Sequence, residues 1–70
     1  MTRGAILLRR AIRRRGLSVR SAAKLLGIDH SYLSRITRGL ASPSLALAGR
    51  CRLLFGVSEA SWSTAAKEAA

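Results

Sequence analysis

His30, Ser31, Ser34 and Arg35 fall in one six-residue stretch and offer an imidazole, two hydroxyls and a guanidinium to whatever lies beside them. Covalent catalysis would need more. A working site combines a nucleophile, a base and a group that orients the base. The chain has a single His, a single Cys and three carboxylates, of which Asp29 stands where a helix cap is expected. No enzyme constellation can be assembled from these. One thiol and one imidazole also fall short of a metal-ligand set, so Cys51 reads as a small core residue. No cofactor and no small-molecule ligand is expected.

Recognition chemistry fits these side chains better. Arg35 can bond guanine O6 and N7 together, while His30, Ser31 and Ser34 can serve neighbouring base edges. Thirteen Lys and Arg oppose three acidic residues, a formal charge of +10, and so large an excess on a short chain points to a polyanion. Twelve of the thirteen lie between Arg3 and Arg52, whereas the last eighteen residues hold Lys67 against Glu59 and Glu68. The polyanion is therefore expected along the first three quarters of the chain.

Seventy residues can bury the core of one domain, so a single domain over 1–70 is expected, without linker or repeat. The Ala-rich last six residues are expected to fray. With one Cys no disulfide can staple the domain, which suits a reducing, cytoplasmic setting. The longest apolar run near the start, Ala5-Ile6-Leu7-Leu8, is too short for a leader core or a membrane span, and neither is expected.

Apolar residues recur at three- and four-residue spacing and nowhere alternate, which predicts an all-α domain of five short helices. The first, roughly 3–15, puts Ala5, Leu8, Ala11 and Ile12 in a stripe, with Arg9, Arg10, Arg13 and Arg14 on the remaining arc and Gly16 at its end. Ser18 can cap a second helix with Val19, Ala22, Ala23 and Leu26 inward, closed by Gly27. Asp29 can cap a third that runs to about Thr37, with Leu33 and Ile36 inward and Gly39 after it. Pro43 holds Ser42 extended, and Ser44 can cap a fourth helix from Leu45 to Phe55 whose inward positions are Leu47, Ala48, Cys51, Leu54 and Phe55. Gly56 stops it. Ser58 can then cap a fifth, with Glu59 in its first turn and Trp62, Ala65 and Ala69 on its apolar side.

Two short helices joined through a Gly-containing turn form the unit whose second helix enters the major groove of DNA, and residues 19–38 have that layout. At about 100° per residue with His30 at zero, Ser34, Arg38, Ser31 and Arg35 fall at roughly 40°, 80°, 100° and 140°, and Leu33 and Ile36 at roughly 300° and 240°. The polar residues share one face and the apolar pair the other. His30, Ser31, Ser34 and Arg35 are thus the base-reading candidates. Phosphate contacts are expected from Ser18, from the outward amides of Val19 and Arg20 at a helix start, and from Arg20, Arg38 and Ser42. Tyr32, at roughly 200°, lies at the boundary and can either pack or touch a phosphate.

From Leu17 to Trp62 the chain resembles the helix-turn-helix family of phage repressors, Cro proteins and Xre-type regulators. The residues that carry the likeness are Gly16-Leu17-Ser18, Ala23, Leu26-Gly27-Ile28, Ser34-Arg35-Ile36, Gly39, Pro43-Ser44-Leu45 and Gly56-Val57-Ser58. The resemblance implies a compact five-helix lambda-repressor-like domain that regulates transcription on double-stranded DNA. Members of the family often carry a Gln at the place of Val19, bonded to a phosphate and to a second Gln at the place of His30. Many also pair an Arg with a Glu at the places held here by Ile12 and Thr37. Both partners of that ion pair are absent together, so no orphan charge is left, but phosphate anchoring at Val19 must differ.

Other readings compete at particular residues. The run Arg9 to Arg15 suits a solvated basic face as well as phosphate contact. Trp62 stands where the family usually has a core Leu and reads first as core, second as a dimer contact. A basic amphipathic peptide on an anionic membrane would account for the first helix but not for Gly27, Gly39, Pro43 and Gly56. An antitoxin would use the same DNA-binding domain with an added protein-binding surface, for which no long disordered or strand-forming extension is visible. An RNA reader would want an aromatic platform, and the aromatic residues are only Tyr32, Phe55 and Trp62. The reading that follows is a Cro-like or Xre-like repressor, cytoplasmic, in a bacterial cell or phage-infected host. It is expected to sit on its operator as a homodimer joined through Phe55, Val57 and Trp62.

Overall fold

A computed structural model describes residues 2–63. Within it each of the four α-helices starts on a short polar side chain that accepts a hydrogen bond from the first turn. Thr2 caps α1 (Arg3–Arg14) and Ser18 caps α2 (Val19–Leu26), with Oγ1 and Oγ accepting from the amides of Ala5 and Ser21 at 3.3 and 3.0 Å. Asp29 caps α3 (His30–Thr37), accepting from Ser31 at 2.9 Å, and Ser44 caps α4 (Leu45–Phe55), accepting from Leu47 at 3.2 Å. Each such cap is worth about 1 kcal/mol. The expected boundaries of these four helices are therefore met.

Helix ends are equally local. Gly27 takes φ 73° and its amide and that of Ile28 close back on α2, at 3.2 Å to Lys24 O and 3.0 Å to Ala23 O. Only a residue without Cβ adopts that left-handed geometry without strain, and it turns the chain straight into α3. Gly56 does the same at the end of α4, with φ 70°.

The core is one cluster to which every helix contributes: Leu8, Ala11 and Ile12 from α1, Ala22, Ala23 and Leu26 from α2, Leu33 and Ile36 from α3, Leu47, Cys51 and Phe55 from α4, and Val57 beyond it. Small residues at 22 and 23 let α2 lie close on its neighbours, and α2 packs chiefly on α3. Leu54, expected inward, is half-buried, whereas Leu45 and Leu53 stay in solvent. Arg15, past the end of α1, lies with its guanidinium carbon 4.9 Å from the centroid of the Phe55 ring.

Two expectations change near the C-terminal end of the described chain. In place of a fifth α-helix there is a 3-10 helix, Glu59–Ser63, which packs against α1 and α4. Ala65, Ala69, Lys67, Glu68 and the rest of the Ala-rich end lie outside the described residues. The second change concerns the dimer surface assigned to Phe55, Val57 and Trp62. Phe55 and Val57 are 6% and 2% exposed within the single chain, because the Gly56 turn folds Val57 back under α4. Trp62 is half-buried and covers Gly4 so closely that a Cβ there would meet its Cδ2 at 2.5 Å. Core packing, the first reading of Trp62, is what the fold uses.

Candidate nucleic-acid interface

The apolar pair Leu33 and Ile36 is fully buried, and this decides the rotation of α3 about its axis. His30, Ser31 and Arg35 are exposed as a consequence, and Ser34 is half-buried at the edge of the same face. The four candidates therefore do share one solvent-facing surface. Asp29 accepts from the Ser31 amide and lies at the start of that surface as a cap. Thr37, unforeseen as interior, is 4% exposed, and its Oγ1 donates to Ser34 O at 2.9 Å.

Around this face the hydroxyls are mostly occupied. Ser18 Oγ accepts from the Ser21 amide and donates to Ser21 Oγ at 3.0 Å, so an anion at the start of α2 would meet the main-chain amides of Val19 and Arg20 before it met the Ser18 side chain. Tyr32 Oη donates to the main-chain oxygen of Ser42 at 3.1 Å. This bond ties α3 to the loop that leads into α4. Ser42 keeps its exposed side chain, and Arg20 and Arg38 are exposed.

Two clefts flank α3. One, of about 320 Å³, is lined by Arg20, Ala23, Lys24, Ile28, Asp29 and His30, where α2 meets the start of α3. The other, of about 400 Å³, brings Arg9, Ile12 and Arg13 of α1 together with Leu17, Val19, Ser34, Thr37 and Arg38. Arg9 and Arg13 belong to the run Arg9 to Arg15 that reads equally as a solvated face and as phosphate contacts, and Lys24 was not foreseen. Their signal was present as positive charge, but a run of arginines does not say which of them turns toward α3.

Carboxylates are scarce around all of this. Among the described residues the acidic side chains are Asp29, occupied as a cap, and Glu59, which pairs with Arg52 at 2.8 Å on the far end of α4. Cys51 is fully buried and burial pushes its thiol up to about 11, so it is an uncharged core group at neutral pH. Among the described residues no cluster of His, Cys, Asp and Glu could hold a metal, and no helix is long and apolar enough to cross a membrane. A hydrogen-bonding face of α3 beside free helix-start amides, ringed by cations that have no carboxylate partner among the described residues, suits docking on a phosphate-lined groove.

The comparisons agree with that geometry. The model of a family described as helix-turn-helix matches residues 8–62, most of the chain. No curated protein and no solved structure matches it.

Proposed function

The chain belongs to the Cro/C1-type helix-turn-helix family of DNA-binding transcription regulators, and we propose that it is a non-enzymatic Cro-like or Xre-like repressor, as of a phage, that reads an operator with α3. The observation that carries this reading is the single exposed face on which His30, Ser31 and Arg35 stand, with Ser34 at its edge, backed by the buried Leu33 and Ile36. In this reading Arg35 bonds a guanine edge and His30, Ser31 and Ser34 serve adjacent bases. The amides of Val19 and Arg20, with the side chains of Arg20, Arg38 and Ser42, hold phosphates and fix the register. Repression follows from occlusion of polymerase, in the cytoplasm where the operator lies.

One helix reads few base pairs, so the protein acts as a homodimer on two half-sites about 34 to 36 Å apart. With Phe55 and Val57 inside the single chain, Leu53 at the end of α4, 73% exposed, is the apolar side chain of that region left to meet a second copy.

The test compares Arg35→Ala with Arg20→Ala on the preferred duplex and a scrambled one over a salt series. Loss of the base-reading Arg should cost about 1 to 3 kcal/mol on the preferred site and relax selectivity at one position. Loss of the phosphate contact should weaken both duplexes alike and make the salt slope shallower by about one unit. Equal weakening of both duplexes by Arg35→Ala, with the preferred base unchanged, would overturn the assignment of α3 as the reading helix.

A further inference from the structure

Six arginines crowd the first fifteen residues, at 3, 9, 10, 13, 14 and 15, and the fold treats them differently. At about 100° per residue, Arg9 and Arg13 lie on the side of α1 adjacent to the buried Ile12, while Arg10 and Arg14 turn away from it. Arg15 leans over Phe55. Only Arg9 and Arg13 reach the cleft of about 400 Å³ that also holds Arg38, Ser34 and Thr37 of the α3 region and Val19 at the start of α2.

Three guanidinium groups thus converge from two elements on one concavity. Among the described residues none has a carboxylate partner, since Asp29 caps α3 and Glu59 binds Arg52. Ile12, Leu17 and Val19 contribute apolar side chains to its lining, which limits hydration around the charges and strengthens a charge-assisted bond formed there. Beside the cleft the amides of Val19 and Arg20 begin α2 unbonded within the helix. Ser34 and Arg38 belong to the polar face of α3, so the cleft opens on the side that α3 presents to its ligand.

We propose that the Arg9–Arg13–Arg38 cleft is a backbone-phosphate site: it takes phosphodiester groups of duplex DNA flanking the bases that α3 reads, so that α1 extends the footprint beyond the helix-turn-helix. This rests on the DNA-binding reading above. Guanidinium forks match phosphate oxygens in pairs, and the apolar Val19 side chain leaves this anchoring to the arginines and the α2 amides. Arg10 shares with Arg9 and Arg13 only a separate cleft at Ile6, and neither Arg10 nor Arg14 lines the one beside α3, so these two contribute to the general field.

The experiment uses two charge-matched double variants of the full chain, Arg9→Ala with Arg13→Ala and Arg10→Ala with Arg14→Ala, each with its helical circular dichroism recorded. All four side chains are exposed. The first double should lose about tenfold or more in affinity on preferred and scrambled duplexes alike, with a salt slope shallower by about two units. The second should lose less than about threefold, with a slope change below about one unit. Equal losses from both doubles would show a summed field and overturn the cleft. A wild-type chain that binds no duplex would instead sink the DNA-binding reading itself, a distinguishable failure. Inorganic phosphate, added at constant ionic strength, separates the two sources of the anion. It should weaken wild-type binding less than about twofold, since a backbone site engages several linked phosphates at once. Saturable displacement of the DNA by free phosphate would overturn the assignment to the duplex backbone.

Discussion

Arg50 of α4 donates from Nη1 to the main-chain oxygen of Leu26 at 2.9 Å, so a side chain 24 residues away closes the end of the helix that precedes the Gly27 turn. Leu26 O is one of the carbonyls a helix end leaves without a partner, and a charged donor is suited to it. The contact ties α4 to the hinge of the helix-turn-helix. Arg50→Ala is expected to cost about 1 kcal/mol, lowering Tm by about 4 to 8 °C for a chain of this size. Thermal denaturation followed by circular dichroism checks it, and an unchanged Tm would show the bond to be of no consequence.

Gly4→Ala should destabilise although Ala is the better helix former by about 1 kcal/mol. The added Cβ would stand 2.5 Å from Trp62 Cδ2, and relieving such overpacking costs about 1 to 3 kcal/mol. Trp62 fluorescence should shift to the red as the indole is displaced. In a Trp62→Ala background the same change should become neutral or stabilising. A penalty that persists without Trp62 would place the strain elsewhere.

Alkaline pH should weaken the fold through Cys51. Burial raises its thiol from the ordinary value of 9.0 to about 11, so the folded chain keeps the proton over a range in which the unfolded chain has released it. Stability therefore falls as pH rises from about 9.0 to about 11 and owes no pH dependence to this group below 9.0. Denaturant titrations of wild type and Cys51→Ala across that range test it: the variant should be less stable at neutral pH, from the cavity, and show the shallower alkaline decline. Parallel declines would remove Cys51 as the cause.

Leu53→Glu should weaken self-association while leaving the fold intact, because this side chain is 73% exposed. Sedimentation of wild type and variant, free and on the operator, reads the effect. On a palindromic site the variant should bind about tenfold more weakly, or about 1.4 kcal/mol, with half-site affinity unchanged. A wild type that stays monomeric on sites lacking inverted repeats would end the dimer reading.

Most of the helical framework and the polar face of α3 were legible in the residues alone, because both are short-range. Ser18, Asp29 and Ser44 cap amides two or three positions away, Gly27 turns the chain through its own φ, and the separation of Arg35 from Leu33 and Ile36 follows from helical periodicity. Those are properties of neighbours within one turn, so the sequence by itself determined them, together with the basic charge.

What tertiary structure decided is every relationship across elements. Phe55, read both as inward on α4 and as a dimer contact, is buried within the single chain, and the Gly56 turn carries Val57 into the core beside it. Arg9 and Arg13 are chemically identical to Arg10 and Arg14, and only the packing of Ile12 between α1 and its neighbours turns one pair toward α3. The contact of Trp62 with Gly4 and the bond from Arg50 to Leu26 join residues too far apart for any local pattern to record. Periodicity says which side of a helix is apolar, but the partner that buries that side, and the charges brought together at its edge, depend on how separate helices fill one core.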